Sequence, residues 1–449
     1  MRLLRKLFQL IAILVLILIV IALIYSAPSL WRKIYTYPKL EKERNELYTK
    51  YKKPTNHLQQ TDYKGVLHAH SYWSHDSRGI LEEILPAAKK AELDFIFLSN
   101  HARYQLDTFP RAYHGIYDNV IIESGTEKSG LMVSPMTSVT LNWEQSKDSL
   151  IKQVTQSGGL VLYVHTEEKH EWDNPDYQAM EIYNIHTDFI DEEKEGNLRS
   201  FVINIIFNGN KYRHWGMREI FDEQKVILAR WDSINQFKKV VGMAASDAHN
   251  NQNIRARYTK EGMVEWVGPN AKTISIVEPG WKEKLLLSEP DVAGWVFKFE
   301  LDTYFHSFNF VNTHVFCDSL SNNNIKNNLV AGHAFIAFES LANAKGFQYF
   351  STDTKKEVNA IMGDSIKVGS VNTLKAVSPF PVQFKLVKNG EVIDIADNLY
   401  TYEYKGEVTS GNYRLEAYIN LKGEQIPWVY TNPIYVYRDE SIIKSDNNE

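Results

Sequence analysis

Apolar residues open the chain in one block. Residues 7–25 carry a single polar side chain other than Tyr25, Gln9, and as a helix they span roughly 28 Å, close to the hydrocarbon thickness of a bilayer. Residues 28–62 are polar and charged, and Pro28, Pro38 and Pro54 are expected to interrupt any long element there, leaving a stalk with a short charged helix within 40–52. From Tyr63 to about Gly346 the text alternates between short apolar runs and helical spacing. Ile80, Leu81, Ile84, Leu85 and Ala88 recur at i, i+3 and i+4, and Ser146 and Gly158-Gly159 bracket a helix with Leu150, Ile151 and Val154 on one side. Ser321-Asn322-Asn323-Asn324 forms a polar turn before a helix ending near Gly332. Strand, helix and strand in repetition predict an α/β fold with a mostly parallel sheet or barrel.

After Phe347 the period shortens. Val382-Gln383-Phe384-Lys385-Leu386-Val387 and Glu391-Val392-Ile393 flank Asn389-Gly390 and predict a hairpin, because an Asn-Gly turn supplies the two positive φ angles that match strand twist. Tyr413 to Ile419 and Ile434 to Tyr437 read as further strands, giving a small antiparallel β-sandwich. The expected organisation is an anchor over 1–27, a stalk over 28–62, a barrel over 63–345 and the β-sandwich over 346–449.

The apolar block is longer than the usual core of a secretory signal, about 7 to 15 residues, and Ser26-Ala27 is a poor cleavage site. An uncleaved anchor is therefore expected, its short N-terminal tail in the cytoplasm and the body outside, in a periplasm or at a cell surface. A formal charge of −5 offers no basic footprint for nucleic acid as the main partner. The single Cys317 excludes an internal disulfide framework and a thiolate-built zinc site.

Candidate chemistry sits where the apolar runs stop. His68-Ala69-His70 follows a run beginning at Val66; Asp94-Phe95-Ile96-Phe97-Leu98 runs into Ser99-Asn100-His101; Val120-Ile121-Ile122 leads to Gly125-Thr126-Glu127; the run from Leu160 to Val164 stops at His165; and Val240-Val241-Gly242-Met243 leads to Asp247-Ala248-His249. An extended strand points alternate side chains one way, so His68 and His70 are expected to project together. In α/β folds, polar groups at strand ends converge on one mouth. Mixed imidazole and carboxylate donors without thiolate suit Zn, Mn or Fe.

The order of these motifs, with Ser74 and Asp76 just after the first pair, resembles the PHP family, the polymerase and histidinol phosphatase metallohydrolases, over about residues 63 to 345. Gly158-Gly159, Glu181-Ile182-Tyr183-Asn184, Arg230-Trp231-Asp232, Pro427-Trp428 and Asn432-Pro433-Ile434 look like its carbaryl hydrolase-like subgroup. The resemblance implies a distorted (β/α)7 barrel holding two or three divalent metals, with His68, His70, Asp76, His101, Glu127, His165, Asp247 and His249 as ligands and Glu127 bridging. His75 is the competing choice for the role of Asp76. Asn100 stands where the family often has Asp, and Lys128-Ser129-Gly130 follows Glu127 where many members place a His, so two metals are expected.

The activity so implied is a metal-dependent hydrolase, first of phosphate esters, with Glu127, Asp247 and His249 at the reaction centre and a water activated by the metals. Two alternatives stand beside it: hydrolysis of carboxylic or carbamic esters on the same scaffold, and a degenerate barrel serving as a binding or scaffold protein. No Gly-x-Ser-x-Gly elbow or cysteine nucleophile offers a covalent route. Arg78, Arg103, Arg111 and Lys128 are cations near the motif loops. Glu181 is placed to orient a ligand histidine or to make an interior hydrogen bond, and His186 and His314 are extra ligands, phosphate contacts or structural residues. The substrate class is a small-molecule, lipid or glycan-type ester.

Overall fold

The structure is a computed structural model that describes residues 2–101, 112–134, 141–142 and 144–438. Two compact units account for it, one of residues 1–46 with 188–222 and one of 47–187 with 223–449.

In the first unit a helix, α1 (Arg2–Trp31), passes through a π-helical turn at Arg32–Thr36 into α2 (Tyr37–Thr49). The break expected at Pro28 and Pro38 does not occur. Pro28 lies inside α1, and Pro38 follows the π-turn, whose wider loop makes room for a ring that lacks an amide donor. Residues 7–25 are unburied along their whole length, and the helix is apolar and long enough to cross a membrane.

In the second unit eight strands come first: β1 (Thr61–Ala69), β2 (Phe95–His101), β3 (Gly115–Tyr117), β4 (Val120–Lys128), β5 (Leu131–Ser134), β6 (Leu160–Tyr163), β7 (Ala179–Asn184) and β8 (Val241–Ala248). Pairings β1–β2, β2–β4, β4–β5, β5–β6, β6–β7, β7–β8 and β8–β1 close a barrel. It is not the expected (β/α)7 arrangement. Ser129 and Gly130, at φ 55° and 75°, fold β4 directly back into β5, a hairpin with no room for a crossover helix, so β5 runs antiparallel to both neighbours.

Leu67, Phe95, Phe97, Met132, Leu160, Leu162 and Met243 fill one core. Gly65 is needed there, since a Cβ would stand 2.3 Å from the Phe95 ring. The helix Leu81–Lys90 covers the outside of β1 and β2 through Ile84 and Ala88, packed with Val66, Ile96 and Leu98. Ser146 caps the helix Lys147–Gln156 by accepting from the Ser149 amide, as its spacing predicts.

A separate antiparallel sheet that the hydrophobic pattern did not announce follows β8: β9 (Asn253–Tyr258), β10 (Val264–Val267), β11 (Thr273–Val277) and β12 (Trp295–Glu300), in the order β11-β10-β9-β12. β13 (Asn312–Cys317) then pairs antiparallel with β1, and β14 (Ala334–Ala337) with β13. Between them the helix Asn322–Ala331 starts at Ser321 and ends at Gly332, φ 77°. The C-terminal strands are mostly antiparallel, and their longest hairpin, Thr373–Lys388 with Glu391–Glu403, turns at Asn389 and Gly390. Of the separate sandwich expected here the pairings show the strands alone. Glu424–Thr431 pairs with β14, so the region joins the barrel in one hydrogen-bonded network.

Candidate metal centre

The convergence starts in the backbone. His68 takes φ 61° within β1, where the register against both β2 and β8 slips between Leu67 and Ala69. This bulge, rather than simple alternation, re-aims the imidazole, and the His68 and His70 rings end 5.3 Å apart. His165 and Asp247 also hold left-handed φ angles, 51° and 45°. Such conformations cost on the order of 1–3 kcal/mol each in a non-glycine residue and cluster at functional sites.

Two quartets result. His70, Asp76, His101 and His249 form one, His68, Glu127, His165 and Asp247 the other, and within each the donor atoms lie within 4.8 Å of one another. Two carboxylates tie them together. Glu127 Oε2 is 2.9 Å from His68 Nε2 and 3.3 Å from His70 Nε2, and its Oε1 is 3.2 Å from His165 Nε2. Asp247 Oδ1 lies 3.1 Å from His68 Nε2, 3.2 Å from His70 Nε2 and 3.4 Å from His249 Nδ1. Asp76 Oδ2 reaches His249 Nε2 at 3.1 Å and His101 Nε2 at 3.4 Å.

Carboxylates and imidazoles stabilise one another's charge. Burial opposes a charged His68, but Asp247, Glu127 and Glu181 outweigh it and raise its pKa well above the ordinary range. Burial likewise opposes His165 and His249, yet carboxylates carry them to about 11 and about 9. Burial would raise Glu127, Asp247 and Asp76, and the surrounding imidazoles instead hold all three below the ordinary carboxylate range. For His70, burial and the stacked His249 ring, 3.9 Å away, lower the pKa. Asp247 Oδ1 and His249 Nε2 are also buried without a well-directed hydrogen bond. Nitrogen and oxygen donors gathered this closely fit divalent ions at both quartets.

Around this centre a second set of groups fixes orientation. Glu181, buried on β7, puts Oε1 2.6 Å from His68 Nδ1, while its Oε2 accepts from the His165 amide at 2.8 Å and from Asn184 Nδ2 at 3.1 Å. Ser74 Oγ donates to Asp76 Oδ1 at 2.8 Å and lies 3.2 Å from His70 Nδ1. Asn100 accepts from the Ser71 amide and hydroxyl, pinning the turn after His70.

All eight sequence-derived ligand residues belong to the two quartets. Asp76, not His75, completes the first, and the His75 ring lies 5.0 Å from that of His101. Lys128 ends β4 and belongs to neither quartet. Arg78 donates to the Ala271 carbonyl at 3.2 Å, and Arg103 and Arg111 fall outside the described residues. His314 is buried between Asp62 and Glu339 and belongs to neither quartet. His186 stands at the edge of the site, its Nδ1 3.7 Å from Asp247 Oδ2. Sequence reasoning passed over Glu167, whose Oε1 is 3.6 Å from His165 Nδ1; a carboxylate two residues past a strand-end histidine was the available signal.

Compared with protein-family models the sequence matches none, and a search of curated proteins finds no match.

Proposed function

We propose that the protein is a metal-dependent hydrolase of the PHP type, acting on phosphate esters, held to a membrane by α1 with its body outside the cytoplasm. The observation that supports the reading is that Glu127 and Asp247 each lie within about 3.3 Å of both His68 and His70, which belong to different donor groups. His68, His165, Glu127 and Asp247 would hold one ion, and His70, His101, His249 and Asp76 the other. Ions there would supply a nucleophilic water near neutral pH and offset negative charge gathering on the substrate oxygens.

The chain's own residues set the conditions for that chemistry. Glu181 fixes the ring of His68 and the backbone of His165 at once. Ser74 and Asn100 hold the turn that carries His70 and Asp76. His186, with a side chain 40% exposed beside Asp247, would contact a substrate oxygen there.

Elemental analysis of the purified full chain tests the reading together with hydrolysis of bis(p-nitrophenyl) phosphate. Two divalent ions per chain are expected, one for each donor group, and both metal and activity should be lost in the double variant Asp247→Ala, His249→Ala. Turnover of carbamate or carboxylic esters alone would retain the metallohydrolase and discard the phosphate assignment. A wild-type chain without metal that still hydrolyses the phosphodiester would overturn both.

A further inference from the structure

The C-terminal strands bring a row of amides to one face. Glu391–Glu403, Thr373–Lys388, Gly411–Leu421 and Glu424–Thr431 pair in that order. Gln383 stands opposite Tyr418, Asn420 lies two residues beyond Tyr418, and Gln425 stands opposite Asn420. Strand alternation therefore turns Gln383, Asn420 and Gln425 to the same side. Between the pairs Val382–Leu399 and Phe384–Ala396 the outermost strand carries Asp397 and Asn398 against the single Gln383. Two residues opposite one make a β-bulge, and Asn398 takes a left-handed φ of 54° there. Both bulge residues line the same cleft as the amide row.

That cleft has a volume of about 550 Å³, inside the range of about 300–1,000 Å³ usual for small-molecule sites. Its two charged lining residues, Lys50 and Asp397, are opposite in sign, and four of the others are amides. Gln383 Nε2 donates to Asp397 Oδ1 at 2.6 Å and keeps its carbonyl oxygen available, while Asn420 Oδ1 accepts from the Gly423 amide at 3.2 Å and keeps its NH2 group. Among the described residues the side-chain amides of Asn398 and Gln425 bond nothing in the chain. Donors and acceptors are thus interleaved without net charge. A phosphate or carboxylate calls for an excess of cations, and a peptide added to the sheet edge calls for an unbroken ladder, which the bulge interrupts. Hydroxyl groups suit the cleft, because each both gives and takes a hydrogen bond, as a carboxamide does. Tyr51, next in the chain to Lys50, is 50% exposed and meets Phe380, the neighbour of Pro381, edge-on at 5.7 Å. An exposed ring there offers an apolar surface to the C–H face of a sugar.

We infer that the cleft between Lys50, the Asp397–Asn398 bulge and the Asn420–Gln425 pair is a binding site for a short neutral carbohydrate. None of its lining residues belongs to either donor quartet, so the inference stands apart from the reaction proposed for the metal centre. It gives the C-terminal strands a recognition role of their own.

Titration calorimetry tests it on the full chain in lipid nanodiscs free of glycosidic detergent, with maltotriose, cellotriose and chitotriose as probes and inorganic phosphate and triglycine as controls. The comparison is the double variant Asn398→Gly, Gln425→Ala. Glycine keeps the positive φ of position 398, and Gln425 is exposed, so the melting temperature should stay near that of wild type. At least one trisaccharide should bind saturably, and the double variant should bind it about 10–30-fold more weakly, roughly fivefold for each amide lost. Gln425→Ala alone should show its own share of about fivefold, which keeps the test decisive if the double variant is unstable. Equal affinity in wild type and Gln425→Ala would put the sugar elsewhere and overturn the inference. So would the absence of binding by all three trisaccharides, or binding of phosphate or triglycine in their place.

Discussion

Glu181→Gln removes one charge from between two proposed ligands and leaves the side-chain size unchanged. The carboxylate serves three partners with two oxygens, His68 Nδ1 at 2.6 Å, the His165 amide at 2.8 Å and Asn184 Nδ2 at 3.1 Å. A glutamine offers one acceptor oxygen. If that oxygen faces His68, the new amide group meets two donors, and if it faces His165, the His68 partner is lost. A hydrogen bond to a charged group is worth about 1.5–3 kcal/mol, and loss of an outer partner of a ligand histidine typically weakens metal binding about 10–100-fold, or ~1.4–2.7 kcal/mol. The affected quartet is His68, Glu127, His165 and Asp247, while His70, Asp76, His101 and His249 keep their partners. Competition with a chromophoric chelator should therefore give two phases in the variant, one weakened by that factor and one unchanged. Thermal melts in excess chelator separate the two possible roles. Lower apo stability with wild-type metal affinity at both phases would refute the argument and leave Glu181 as an interior hydrogen-bonding residue.

Three other outcomes follow from the same coordinates. Metal removal should lower the melting temperature in scanning calorimetry, because a ligand at 100 times its dissociation constant adds about 2.7 kcal/mol; identical melts with and without chelator would contradict the two donor groups. Gly125→Ala should destabilise the barrel by about 1–3 kcal/mol or more in denaturant titration, since the new Cβ would stand 2.4 Å from the Val133 carbonyl oxygen, which as backbone cannot step aside; loss of metal should accompany it because β4 carries Glu127, and a neutral effect would show β4 and β5 to be looser than their pairing implies. His314 gives a pH dependence away from the metal centre: burial opposes its charge, but Asp62 and Glu339 raise its pKa to about 9. Against an unfolded value of about 6.5, the raised pKa contributes stability that is full below 6.5 and lost as pH rises through about 9, on the order of 3 kcal/mol. Denaturant midpoints of wild type should fall across that window and those of His314→Gln should not; parallel curves would refute the assignment.

How far the fold could be read from sequence follows the range of the interactions involved. Local signals carried over well: Ser146 and Ser321 cap helices, Gly332 ends one in a left-handed conformation, and Asn389-Gly390 turns a hairpin. The rule that proline stops a helix fails at Pro28 and Pro38, because packing of 198–218 and a π-turn carry the chain past both. β9 to β12 escaped because their residues do not alternate cleanly. Arg255 is buried inside β9, with a guanidinium nitrogen 3.2 Å from a Glu83 oxygen, so a charged side chain occupies a position that reads as solvent-facing. The strand order was equally hidden. Nothing local in Ala334–Ala337 tells that it pairs with both β13 and Glu424–Thr431.

The site was more legible than the barrel that holds it, and one physical reason accounts for both. Strand-end histidines and carboxylates are defined by the chain on either side of them, so His101, Glu127, His165 and Asp247 could be picked without knowing which strands are neighbours. Barrel topology depends on turns, and Ser129-Gly130 alone converts an expected crossover into a hairpin. That hairpin does not disturb the site, because Glu127 lies before the turn, paired with His101 on β2 and with Met132 on β5. The choice between His75 and Asp76 rests on tertiary contacts, since adjacent residues in an irregular turn have no period to sort them. Ser74 decides it: its hydroxyl donates to Asp76 and bonds the amide of His101, so the carboxylate that faces His101 and His249 is the one held by the turn itself. Ser74→Ala should therefore weaken metal at the His70 quartet and leave the other unchanged, the converse of Glu181→Gln. Equal loss at both quartets would show the two donor sets to be one cooperative unit.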